Sequence, residues 1–103
     1  MIIISKTIIN SFSKMHTAAQ TPLEDWYEQT KNADWRNFNE MRNTFNSVDA
    51  VGNDRYVFNI KGNSYRLIAL IIFKARTIFI LFIGTHNEYD KINASTVAFK
   101  KLR

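Results

Sequence analysis

The chain has 103 residues, a net charge of +5 and no cysteine. That length suits one domain with a core of modest margin, and the missing cysteines exclude disulfides and thiolate metal sites. The charge is lopsided. Residues 1–53 hold five Lys/Arg against six Asp/Glu, and residues 54–103 hold nine against three, so the second half carries the basic character that meets nucleic acid, acidic partners or anionic membranes.

The first segment, "MIIISKTIINSF", lacks the basic n-region and cleavage site of a signal peptide. Met1 to Ile4 is short and β-branched and reads as a strand. Ser5 is placed to cap a helix in which Ile8, Phe12 and Met15 recur at helical spacing. "TPLE" reads as a second helix start: Thr21 as N-cap, Pro22 at the first turn, Glu24 closing a capping box. Leu23, Trp26, Tyr27 and Thr30 form its apolar face. "NFNE" offers another box with Asn37 as cap, followed by Phe38, Met41, Arg42 and Phe45. The Trp and Phe residues on these stripes read as core.

From residue 50 the period becomes two. Arg55 to Ile60 is a strand, Gly62–Asn63 a tight turn, Tyr65 to Phe73 a second strand, and "KART" turns into a third, Thr77 to Ile83. The longest uncharged apolar run, Leu67 to Phe73, ends at Lys74, far short of the ~20 residues that span a membrane. No membrane contact and a cytoplasmic location are therefore expected. The fold class is α+β in two layers: an N-terminal strand and helices packed on an antiparallel sheet, with a short C-terminal helix.

A hairpin closed by Lys61 and Ser64 sets Arg66 opposite Asn59. One closed by Lys74 and Thr77 sets Arg66 opposite Thr85. Asn59, Arg66 and Thr85 then form a row ~10 Å wide across three strands. Alternation puts Tyr56, Phe58, Leu67, Ala69, Ile71, Ile78, Ile80 and Phe82 beneath the helices. The other face has a rim of Arg55, Asn59, Arg66, Lys74, Thr77 and Thr85. Its apolar centre, Ile68, Leu70, Ile72, Phe79, Leu81 and Ile83, is too large to leave bare, so a partner or the C-terminal segment should cover part of it.

"GTHNEYDKI" follows. "THNE" is a capping box, Thr85 at N-cap and Glu88 at N3. His86 and Tyr89 fall three apart on the short helix, beside the Arg66 end of the sheet. Two readings stay open: His86 as a chemical group, or as the exposed first residue of a capped helix. Arg, His and Tyr are the types that RNA cleavage needs. Arg clamps a phosphate with a fork of donors, His titrates near neutrality, and Tyr donates a proton or holds a hydroxyl. No carboxylate cluster suggests a metal site, and no cofactor is implied.

"RYVFNIKGNSYRLIA" with "FIGTHNEYDKI" resembles the HigB toxins of bacterial toxin–antitoxin modules, within the wider RelE-like group. The paired motifs G-N-x-Y-R and T-H-x-E-Y-D carry the likeness, which spans roughly residues 1–93 as one toxin domain, with 94–103 a basic, solvated tail. The resemblance implies a small RelE-like fold and a metal-independent endoribonuclease that cleaves mRNA at the ribosome and so inhibits translation. It also implies a HigA-like helix-turn-helix antitoxin, through which alone the toxin meets DNA. Catalysis falls to Arg66, His86 and Tyr89, and RNA contact to Asn59, Lys61, Asn63 and Lys91. Relatives are expected to read "IRFVGTH" where this chain reads "ILFIGTH", with Leu81 in place of Arg. That change favours an alternative, a weakened toxin homologue that binds antitoxin or RNA. A basic single-strand RNA-binding domain fits less well, because alternation sends most sheet aromatics under the helices.

Overall fold

The computed structural model describes residues 1–98. In chain order the elements are β1 (Ile2–Ile4), α1 (Lys6–Met15), α2 (Gln20–Lys31), α3 (Phe38–Thr44), β2 (Val48–Gly52), β3 (Arg55–Ile60), β4 (Tyr65–Ile72), β5 (Thr77–Thr85) and α4 (His86–Tyr89). The strands form one five-stranded sheet in the order β1-β5-β4-β3-β2. The expected antiparallel meander is there, but β1 adds a parallel edge, Ile3 against Ile78. Helices α1 to α3 cover one face, giving the α+β two-layer plan.

Local chemistry explains most boundaries. The Ser5 hydroxyl accepts from the Thr7 N–H and starts α1. Ile9 is its fully buried residue, while Met15, expected on the core stripe, is 81% exposed. Asn37 Oδ1 accepts from the Glu40 N–H at 2.9 Å and starts α3. The "TPLE" expectation needs correction. A 3-10 turn over Thr17–Ala19 feeds directly into α2, so Gln20 is already helical and Ala19 is the cap residue. Ala19 is buried, which anchors the turn and draws Thr21 inside the helix. Glu24 instead meets Lys6 Nζ at 3.4 Å.

Between helices and sheet, Ile9, Leu23, Trp26, Trp35, Met41, Phe58, Leu67, Ile71, Ile78 and Ile80 form the main core. Burying each large apolar side chain stabilises the fold by roughly 1.5–3 kcal/mol. The Trp26 ring stands edge-on to Phe58 at 5.3 Å, and Phe45 meets Phe58 and Trp35. Trp35 Nε1 donates to Thr44 Oγ1 at 3.0 Å, so this indole is buried without losing its partner.

Two features of the sheet differ from expectation. Strand β2 was not foreseen. It is an edge strand with only Val48 buried, and Gly52, Asn53 and Asp54 turn it into β3 with positive φ. Gly52 accepts φ +94° readily, because it carries no Cβ. The second difference is a bulge. Ile72 pairs with Thr77 and Ala69 with Ile80, but Ile68 pairs with Phe82, leaving Leu81 as the extra residue. A bulge reverses which face later residues take. Phe82, expected beneath the helices, packs on the second face, and Ile83, expected there, packs with the helix-side core. Strand β4 also stops at Ile72, and Phe73–Ala75 forms a 3-10 turn before β5.

The second face is covered by its own chain. Val57, Ile68 and Leu81 are buried there, with Tyr89, Ile92, Ala94 and Val97 packed against them. Arg55 holds this cover by donating Nε and Nη2 to the Val97 carbonyl, at 3.2 and 3.0 Å, and Asn53 Nδ2 donates to the Ser95 carbonyl at 2.8 Å. So the first part of the expected tail lies on the sheet, and its remainder, 99–103, lies outside the described residues. Among the described residues no helix is long and apolar enough to cross a membrane.

Candidate active site

The β3–β4 hairpin closes as expected, with Asn59 opposite Arg66. Lys61 and Gly62 take positive φ in the turn, and the Ser64 N–H donates to the Lys61 carbonyl. On the other side the hairpin closes at Ile72 and Thr77 rather than at Lys74 and Thr77, a shift of two residues of which the bulge takes back one. Arg66 lies opposite Gly84, not Thr85, and Thr85 faces Tyr65. The row is therefore Asn59–Arg66–Gly84. Paired residues share a sheet face, so it lies on the side of Ile68 and Leu81, away from α1 to α3.

Glycine at position 84 has a local reason. A Cβ there would meet Phe82 Cζ at 2.4 Å and Glu88 Cβ at 3.2 Å. The Phe82 ring thus folds over Gly84, and α4 begins close above it.

Thr85 ends β5 and caps α4. The Thr85 N–H donates to Glu88 Oε1 at 2.8 Å, and the Glu88 N–H donates to Thr85 Oγ1 at 3.3 Å. The bond from the Thr85 backbone is the main reason that the Glu88 carboxyl sits below its usual pKa. Partial burial opposes this, and the Thr85 hydroxyl and the charges of His16 and Lys91 add to it. The second histidine, His16, stacks on Phe12 at 4.3 Å and meets the Tyr65 ring edge at 5.8 Å.

Arg66 and Tyr89 are brought together. The guanidinium carbon lies 5.8 Å from the Tyr89 ring centroid, and Nη1 donates to the Asn63 carbonyl at 3.2 Å. This holds one edge of the fork and leaves the group half-exposed at the end of the sheet. His86 is exposed on the same short helix, with Nε2 at 3.6 Å from Asp90 Oδ2. Asp90 was not foreseen as its neighbour, although the i, i+4 spacing on a helix was a readable signal. Asn59 donates Nδ2 to the Ser47 hydroxyl. Lys61, Asn63 and Lys91 are exposed around this end. Lys61 and Asn63 lie in the β3–β4 turn and Lys91 just past α4, so the three flank the row without forming one contact cluster.

Leu81 is only 6% exposed and belongs to the apolar cluster under the C-terminal segment. The position that the resemblance assigns to a cation is occupied here by core.

Comparison with known proteins agrees with this geometry. Residues 19–92 match the family model of the HigB toxin, described as the RelE-like toxic component of a toxin–antitoxin system. The chain is 33% identical over 94 residues to the mRNA interferase HigB of Escherichia coli (strain CFT073), covering 89% of this chain and 91% of that protein. It is 41% identical over 39 residues, 38% of each chain, to the mRNA interferase HigB of Shigella flexneri. A sheet end carrying Arg66 over Tyr89, a capped "THNEYD" turn beside it and a family match across most of the chain together mean that this chain belongs to the HigB toxin family.

Proposed function

We propose that this toxin is an endoribonuclease that cleaves mRNA at the ribosome without a metal ion and is neutralised by a HigA-like helix-turn-helix antitoxin. The observation that carries the reading is the Arg66 guanidinium held half-exposed over the Tyr89 ring, on the short helix that His86 begins. In this scheme a 2′-oxygen attacks its own 3′-phosphorus and the bond to the 5′-oxygen breaks. One group takes the proton from the 2′-hydroxyl and another returns a proton to the leaving 5′-oxygen. Arg66 stabilises the charge that builds on the phosphorane oxygens. His86 exchanges the proton, with Asp90 near enough to bias the ring's orientation. Tyr89 backs the guanidinium and directs its hydroxyl toward the ribose. Asn59, Lys61, Asn63 and Lys91 guide the strand. The antitoxin, not the toxin, reads the operon's DNA.

The test is induced expression with mapping of transcript ends. Growth arrest with new mRNA ends, relieved by co-expressing a small helix-turn-helix protein from the adjacent reading frame, is the expected outcome. Intact transcripts at high toxin levels would refute it. The burial of Leu81 among apolar side chains supports a second reading, a weakened toxin that still binds its antitoxin. Stable antitoxin binding without any transcript cleavage would favour that reading.

A further inference from the structure

The cleft lined by Trp26, Gln29, Asn46, Ser47, Asn59 and Lys61 lies where α2, the α3–β2 connection and the end of β3 meet, and its volume is about 280 Å³. Strand β2 begins only at Val48, so the edge of β3 beyond Phe58 has no strand beside it. Asn59 joins this cleft to the candidate active site. It pairs with Arg66 across β3 and β4, and its amide reaches the Ser47 hydroxyl. One strand spacing, ~4.8 Å, therefore separates the cleft rim from the Arg66 strand.

We infer that this cleft is a nucleobase pocket of the RNA substrate, holding a base that the RNA strand brings around the open β3 edge from the phosphate on Arg66, whose side chain stands on the other sheet face. The inference rests on the endoribonuclease reading above and adds a base-reading site to it. Three properties of the cleft suit a base. Trp26, packed on Phe58, is one of the residues lining the cleft. The indole is 2% exposed, and its N–H has no hydrogen-bond partner, an uncommon cost for a buried donor. Gln29 and Asn46 line one small volume, bordered by Asn59 whose amide is held by Ser47, and amides pair with the donor and acceptor edges of bases. Lys61 at the β3–β4 turn supplies a cation to the lining, with Asp25 of α2 also part of it. A protein partner would instead need a broad apolar patch, and this cleft is small, with polar and apolar groups in similar share.

The test uses the full-length chain and its own tryptophan fluorescence, with short RNAs made uncleavable by 2′-O-methylation and differing in one base. Gln29 and Asn46 are exposed, so a Gln29→Ala/Asn46→Ala variant is expected to fold, as checked by circular dichroism. The wild type should bind with a preference for one base. The double variant should bind that RNA about tenfold more weakly and lose the preference, in line with the cost of a base contact. Arg66→Ala should weaken all the RNAs alike. Wild-type affinity and preference in the double variant, with Arg66→Ala still weakened, would overturn the pocket and leave the nuclease reading standing. No RNA binding by the wild type would overturn the pocket, while the nuclease reading is judged separately by the mapped transcript ends.

Discussion

Replacing Gly84 by alanine tests the local packing that shapes the site. The new methyl would sit 2.4 Å from Phe82 Cζ, 2.8 Å from Phe82 Cε2 and 3.2 Å from Glu88 Cβ. Carbon atoms pack at about 3.5–4.0 Å, so the ring end must retreat by roughly 1 Å or more. Overpacking of this kind costs ~1–3 kcal/mol. The contact is with the free end of a side chain rather than backbone, so the expected cost is about 1–2 kcal/mol. In a domain of this size that lowers the melting temperature by roughly 5–15 °C. The cause is read from a double-mutant cycle in chemical denaturation. In a Phe82→Leu background the shorter side chain no longer reaches the new methyl, so Gly84→Ala should cost ~1 kcal/mol less there. An equal cost in both backgrounds would show that Phe82 does not lie over Gly84.

Ile68→Ala should cost about 3 kcal/mol in urea unfolding, because Ile68 is fully buried between the sheet and the C-terminal segment; a cost below ~1 kcal/mol would mean the segment does not cover this face. Leu81→Arg places a cation in an apolar cluster near Arg55 and should destabilise by about 2 kcal/mol, with faster proteolysis of residues 93–98; unchanged stability would show that the site takes a cation without penalty. Glu88 has a depressed carboxyl pKa, so its capping contribution is fully present above the ordinary value of 4.5 and fades as pH falls through the folded one. It is a mostly exposed group, worth less than ~1 kcal/mol. The stability gap between wild type and Glu88→Gln should close as pH falls from 7 to below the ordinary carboxyl value of 4.5 and through the lowered folded one, and a gap that persists in acid would assign the effect to something other than the carboxylate.

Much of this molecule can be read from local rules. The β3–β4 register followed from the short turn at Gly62, and with it came the pairing of Asn59 with Arg66. The capping box of "THNE" follows from spacing alone. What escaped is set by tertiary packing. Nothing in "TIFILFIGT" marks Leu81 as a bulge, because every residue around it suits a strand, yet that one extra residue exchanges the faces of Phe82 and Ile83. Strand β2 has a charge, two small residues and an exposed edge, so it lacks the alternation that marks its neighbours. "TPLE" is a sound start signal that the buried Ala19 turn overrides. The site divides the same way. Arg66 and Tyr89 come from two adjoining motifs, so their contact was legible. The cleft draws on Gln29, Asn46 and Asn59 from three separate segments, and no linear pattern joins them.

The most direct measurement is single-turnover cleavage of a ribosome-bound mRNA by purified toxin, comparing wild type with Arg66→Ala, His86→Gln and Tyr89→Phe, each shown to be folded. Loss of one transition-state donor costs ~3 kcal/mol, about a hundredfold in rate. The expected result is a cut mRNA without added metal, a rate about a hundredfold lower for Arg66→Ala, and slower cleavage with retained RNA binding for His86→Gln and Tyr89→Phe. Wild-type rates in all three folded variants would contradict the assignment of the Arg66, His86 and Tyr89 end of the sheet as the nuclease site.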